Sequence, residues 1–193
     1  MSVDEDKYHK VVNTVKECVK IKKENNLEVT IGLQMVLQPK DIDQVLPLAE
    51  LGKVLGVDYV VIKHCSDDEH GSLGVDYKGY FTDKVRDTLK KAESMSTDNY
   101  LVKAKWSKIM SMGERHYNKC FGTPFIFQIS GSGLVAPCGK LFNKDLYSHH
   151  HIDNIANRSF KEIWMSEKYW EKHNYLHSDE FNPQTMCGNL CLQ

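Results

Sequence analysis

Four of the six cysteines in this 193-residue sequence, Cys120, Cys138, Cys187 and Cys191, fall in its C-terminal part, and they are the residues best suited to chemistry. Thiolate is a soft ligand, and four of them from a hairpin and a glycine-containing turn make a tetrahedral donor set suited to zinc or to an iron-sulfur cluster. Cys187 and Cys191, in the run MCGNLCLQ, can offer both sulfurs to one centre from a single loop turn. A second reading stays open, because a long gap separates Cys138 from Cys187 and unligated cysteines also pack as small apolar side chains. Cys18 lies on the apolar stripe of a predicted helix and reads as core. Cys65 follows a strand end, where burial is the favoured reading. The run His149-His150-His151 invites a metal reading, but consecutive side chains diverge, and a solvated loop is expected there.

Lys+Arg number 25 against 26 Asp+Glu, a net charge of -1 that supplies no broad electrostatic footprint for nucleic acid or anionic lipid. No apolar run approaches the ~18 residues of a membrane span. The opening residues Met1-Ser2-Val3-Asp4-Glu5-Asp6 are acidic where an export signal is basic and then apolar. The expectation is a cytoplasmic protein with no nucleic-acid or membrane partner. In such a reducing compartment cysteines serve as ligands more often than as disulfides. Lys20, Lys22, Lys23 and the Lys90-Lys91 pair read as helix surface, and Trp164, Tyr169 and Trp170 as core.

Apolar periodicity outlines the elements that must position these residues. Val11, Val12, Val15, Cys18 and Val19 recur at helical spacing from residue 3 to about 25, with Ser2 and Glu5 as a capping box. Leu27 to Leu37 reads as a strand stopped by Gln38-Pro39. Asp41 and Gln44 open a helix with the stripe Ile42, Val45, Leu46, Ala49 and Val54, closed by Gly56. Val57 to His64 is a second strand, apolar enough to be covered on both faces. After a polar loop come a helix through Val85, Leu89 and Ala92 and a strand around Tyr100 to Lys105. Helices alternating with strands about 30 residues apart predict right-handed crossovers and a parallel sheet. Three strands are few for a closed barrel, which needs ~250 residues. With no strand ahead of the first helix, the expectation is the C-terminal part of a longer polypeptide; a small complete three-layer domain with further strands is the alternative.

Past Trp106 and a short helical stretch from Ser107 to Met112 the character changes. Phe125 to Ser130 alternates as a strand, Gly131-Ser132-Gly133 supplies the positive-φ residues of a tight connection, and Leu134 to Pro137 returns to deliver Cys138. Ser159-Phe160-Lys161-Glu162 is a capping box ahead of Ile163 and Trp164.

The run Cys120-FGTPFIFQISGSGLVAP-Cys138, with Gly133 ahead of the second cysteine, resembles the opening of a SPASM or twitch domain, the auxiliary-cluster domains of radical S-adenosylmethionine (SAM) enzymes. Ile152-Asp153-Asn154-Ile155 and Ser159-Phe160-Lys161-Glu162-Ile163-Trp164-Met165-Ser166 resemble the segment such proteins place before their last cysteines. GLQMVLQPKDIDQVLPLAELGKVLGVDYVVIKH is similar to later strands and helices of the radical SAM partial barrel. The fold implied is α/β: an incomplete (β/α) partial TIM barrel over 1-112, then a small α+β cysteine-rich domain over 113-193. Two departures stand out. No complete CxxxCxxC motif is present, so the SAM-cleaving cluster is not held by these residues, and a twitch domain usually ends in CxxC where this chain has CxxxC.

The resemblance implies a parent enzyme that cleaves SAM reductively at a 4Fe-4S cluster and abstracts hydrogen with the resulting radical. Cys120, Cys138, Cys187 and Cys191 would hold one auxiliary 4Fe-4S cluster, with the backbone NH groups of Gly139 and Gly188 as candidate donors to sulfur. Barrel residues at the C-terminal strand ends line the active face. That singles out Gln34, Gln38, Lys63, His64 and Lys105, either as contacts for SAM or substrate or as solvated strand ends. The implied partners are a small-molecule, sugar or peptide substrate and an electron donor such as flavodoxin or ferredoxin. The rival expectation is a zinc- or cluster-binding interaction module with no catalysis of its own.

Overall fold

The computed structural model describes residues 5-67, 71-111, 113-114 and 117-187. The Ser2-Glu5 capping box, Gly188 and Cys191 therefore lie at least partly outside the described residues. The chain divides into two compact units, one formed by Met1–Ser66 with Gly74–Gly113 and the other by Asp67–Leu73 with Glu114–Gln193. Among the described residues no helix is long and apolar enough to cross a membrane.

The first unit is built on a parallel sheet of β1 (Gly32–Leu37), β2 (Tyr59–His64) and β3 (Leu101–Ala104), in the order β1-β2-β3. Helices α1 (Glu5–Glu24), α2 (Val45–Leu55) and α3 (Asp83–Glu93) precede the three strands in turn. A strand turns alternate side chains to opposite faces. Val60, Ile62, Val102 and Ala104 accordingly enter one core with Val45, Ala49, Val85, Leu89 and Ala92 of the helices. Roughly 1.5–3 kcal/mol accompanies burial of each large aliphatic side chain in this core.

The second face departs from expectation. Tyr59, Val61 and Lys63 of β2 are only half-buried, and Gln34 and Val36 of β1 are exposed. The apolar run in β2 thus reflects an alternation with Tyr and Val on the less covered side. β1 is also shorter than its apolar run. Asp58 Oδ2 accepts the Ile31 N–H at 2.6 Å, and residues 27-31 do not join the ladder. The stripe of α1 is narrower than its periodicity. Val19 is buried and Val12 and Val15 partly so, but Val11 and Cys18 are exposed, which corrects the core reading of Cys18. Val54 of α2 is 83% exposed. The preceding Pro39–Gln44 segment is a 3-10 turn without a side-chain cap in place of the expected capping box, and Gly56 closes α2 at φ 73 as predicted.

Tyr80 joins the carboxyl ends of two strands. Its hydroxyl donates to the Leu37 carbonyl and accepts the Cys65 N–H at 3.0 Å. Burial pushes its phenol up to about 12, against the lowering effect of the Cys65 N–H bond. Past β3, α4 (Trp106–Ile109) ends the first unit's regular structure, shorter than the expected Ser107-Met112 stretch.

The second unit contains an antiparallel sheet of β4 (Gln128–Ile129), β5 (Leu134–Ala136) and β6 (Asp153–Asn154), in that order. The β4-β5 hairpin closes where Gly133 N donates to Ser130 O at 2.9 Å, and of the two connection glycines only Gly133 has a positive φ, 81°. A Cβ at Gly133 would also stand 2.6 Å from Asn154 Oδ1, so the missing side chain lets β6 dock. The strand expected over Phe125-Ser130 is cut to two residues because Thr123–Phe125 winds into a 3-10 turn.

Helices α5 (Lys144–Tyr147), α6 (Phe160–Trp164), α7 (Glu167–His177) and α8 (Pro183–Met186) complete this unit. The Ser159-Glu162 capping box at α6 is fully formed, and Ser166 caps α7 by accepting the Tyr169 N–H. Val135, Ile152, Ile163 and Tyr169 make one cluster, with Trp164 against it; Trp170 stays largely exposed. Ala136, Leu141, Tyr147, Leu176 and Phe181 make another, against which Cys120, Cys138 and Cys187 pack.

Candidate metal centre

Three local structures deliver the cysteines. Cys120 leads into the Thr123–Phe125 turn through Gly122. Cys138 follows β5 and Pro137 and sits as the N-cap of the 3-10 turn Gly139–Phe142. Cys187 is the C-cap of α8, a helix begun by Pro183 and capped by the Asn182 side chain. Long-range contacts hold these pieces in place. Lys119 Nζ reaches Asp179 Oδ1 at 2.8 Å, Gln184 Nε2 donates to the Tyr117 carbonyl at 3.3 Å, and His151 Nε2 lies 2.9 Å from the Leu141 carbonyl oxygen. The segments before Cys120 and around Cys187 are thereby tied to one another.

Cys120, Cys138 and Cys187 line one cavity of ≈ 40 Å³. That exceeds the ~10–15 Å³ one water needs, so the pocket has room for more than a single solvent molecule. Ile126, Leu141, Leu176 and Phe181 form most of its apolar wall, and Lys140 and Thr123 also border it. Among the described residues, no three of His, Cys, Asp and Glu form a group that could hold a metal ion. The three cysteines share a cavity, and Cys191 lies outside the described residues. Soft donors around an apolar space fit an iron-sulfur cluster in chemistry.

The glycine named as a possible donor to sulfur has a different neighbour. A Cβ at Gly139 would stand 2.0 Å from Gln128 Oε1, so its bare Cα makes room for the β4 side chain. The three histidines diverge: His149 is exposed, His150 buried and His151 half-buried. Burial, with neighbouring positive charge, brings His150 down to about 4. Thr123 carried no sequence signal. Its place is set only when the turn after Cys120 folds against the cavity.

In the first unit, Gln38, Lys63, His64 and Lys105 gather at the carboxyl end of the sheet, whereas Gln34 does not. It is the third residue of β1, paired with Val61 and exposed at mid-strand, which corrects its placement at the strand end. Gln38 directs Nε2 toward Cys65 Sγ at 3.9 Å. Lys63 sits on the less covered face of β2, and Lys105 is exposed just after β3. His64 turns to the opposite face from Lys63 and is only 4% exposed. Its Nδ1 donates to the Cys65 carbonyl at 2.8 Å, its Nε2 finds no partner among the described residues, and burial lowers its pKa.

Residues 120–191 match the family model of SPASM, an iron-sulfur cluster-binding domain. No curated protein and no solved structure matches the chain.

Proposed function

We propose that this chain holds one 4Fe-4S cluster through Cys120, Cys138, Cys187 and Cys191, and that it does so as the auxiliary centre of a radical SAM enzyme. One observation carries the reading: three cysteines far apart in sequence line a single cavity within the segment that matches an iron-sulfur domain model. Cys191, four positions past Cys187, supplies the fourth thiolate. Sulfurs spread around a cavity suit a multi-atom cluster, whereas a zinc ion draws four donors to ~2.3 Å from one point. When bound, the cluster supplies one-electron transfer or a docking point for the substrate. Leu141, Leu176 and Phe181 keep water from it, and Lys140 offsets its negative charge.

The parallel sheet with its helices on one face supports a partial (β/α) barrel over 1-112, followed by the cluster domain over 113-193. On this reading Gln38, Lys63 and Lys105, at the carboxyl end of the sheet, would meet SAM or substrate, while buried His64 lies on the opposite face from Lys63. The sequence has no complete CxxxCxxC motif, so on this reading the SAM-cleaving cluster is bound by residues outside it. A small-molecule, sugar or peptide substrate and a flavodoxin- or ferredoxin-type donor are the partners it requires.

Anaerobic reconstitution with iron and sulfide is the test. A brown protein with about four irons per chain is expected, and Cys138→Ala is expected to lose them. One stoichiometric zinc without colour, or full iron content in the variant, would overturn the reading.

A further inference from the structure

The cavity is bordered by one polar group that the cysteines leave unexplained. Thr123 is 3% exposed, and its Oγ1 is closed off from solvent without a hydrogen-bond partner among the described residues. Buried hydroxyls are nearly always hydrogen-bonded, because leaving water without a replacement partner is costly. Nothing in the fold compels a threonine here. The backbone of the turn is already engaged, with Ile126 N donating to Thr123 O at 3.2 Å, and valine has the same shape. Ile126, Leu141, Leu176 and Phe181 around it present side chains that accept nothing. An acceptor entering the cavity that Thr123 lines would supply the partner the hydroxyl lacks.

We infer that Thr123 donates its hydroxyl proton to a sulfur of the cluster held by the neighbouring cysteines, and so sets its reduction potential. The inference rests on the cluster reading above. Sulfur carries more negative charge after reduction, so a donor aimed at it stabilises the reduced state and raises the potential. Thr123 acts through the cluster and is a positioning residue, three positions past Cys120 on the turn that Cys120 introduces.

The test is redox titration of the reconstituted full chain alongside Thr123→Val and Thr123→Ser, with iron and sulfide counted in each. Thr123→Val is expected to keep its iron and to be reduced about tenfold less favourably, a midpoint about 59 mV more negative for a one-electron couple. Thr123→Ser, which keeps the hydroxyl, is expected to stay near the parent value. An unchanged midpoint in a fully loaded Thr123→Val overturns the inference and leaves the cluster reading standing. If Thr123→Val loads poorly, Thr123→Ala is titrated instead. Iron loss in both with retention in Thr123→Ser overturns the inference, because the hydroxyl is then needed to build the site and not to set its potential. Iron loss in all three variants overturns it, and a parent chain that takes up no cluster overturns the reading beneath it.

Discussion

Asp58 accepts from Lys22 Nζ through both oxygens, at 2.6 and 2.7 Å, while Oδ2 also takes the Ile31 N–H. The Lys22 ammonium, followed by that amide, holds the carboxyl below its ordinary value. A depressed folded pKa means stabilisation that is present above the unfolded value of about 3.9 and is lost as pH falls through the folded one. Asp58→Asn is therefore expected to lower stability at neutral pH by about 1 kcal/mol, an exposed-pair magnitude raised by the amide contact. In urea titrations the gap between parent and variant should be flat from pH 7 to about 5 and close below about 4; a gap independent of pH would remove the ion pair from the account. At this scale the sequence was uneven. The Ser159-Glu162 box is legible because it is a local pattern. The exposure of Cys18 beside buried Val19 was not, since a 100° turn between adjacent helix positions separates core from solvent only once the neighbouring helix is placed. Thr123 had no pattern at all.

Helix α2 runs against β2 at a place where one side chain is missing. A Cβ at Gly52 would stand 2.6 Å from Val60 Cγ2 and 2.7 Å from the Tyr100 hydroxyl, which itself donates to the Ala49 carbonyl. Alanine gains about 1 kcal/mol of helix propensity over glycine, but overpacking a filled core costs about 1–3 kcal/mol, and the hydrogen bond to Ala49 would be pushed aside as well. Gly52→Ala is expected to lower the thermal midpoint of the first unit, and an increase would show that α2 can shift outward freely. Elements with strong periodicity were read closely: α3 carries Val85, Leu89 and Ala92 inward as expected, and β3 falls inside Tyr100-Lys105. β6 was missed. Asp153-Asn154 has neither alternation nor apolar character, and it becomes a strand only because β5 leaves an edge and Gly133 leaves room. β1 is shorter than its apolar lead-in suggests because Asp58 claims the Ile31 amide.

The molecule as a whole separates into a unit stabilised by a sheet-and-helix core and a unit whose cluster of apolar side chains borders a pocket. The stability of the second should depend on what fills that pocket, because ligand-binding energy is folding energy in such small domains. After reconstitution, removal of iron by a chelator is expected to speed amide exchange in peptides from 117-187 and to leave those from 32-64 unchanged. Equal loss of protection in both would mean that the units unfold as one. Their membership is also not sequential: Asp67–Leu73 belongs with Glu114–Gln193, although Gly74–Gly113 lies between them in the chain. Synthesis runs from N to C terminus, so on the ribosome residues 67-73 emerge well before the rest of their unit. The first unit can finish folding while they wait for the chain beyond residue 114 to be made.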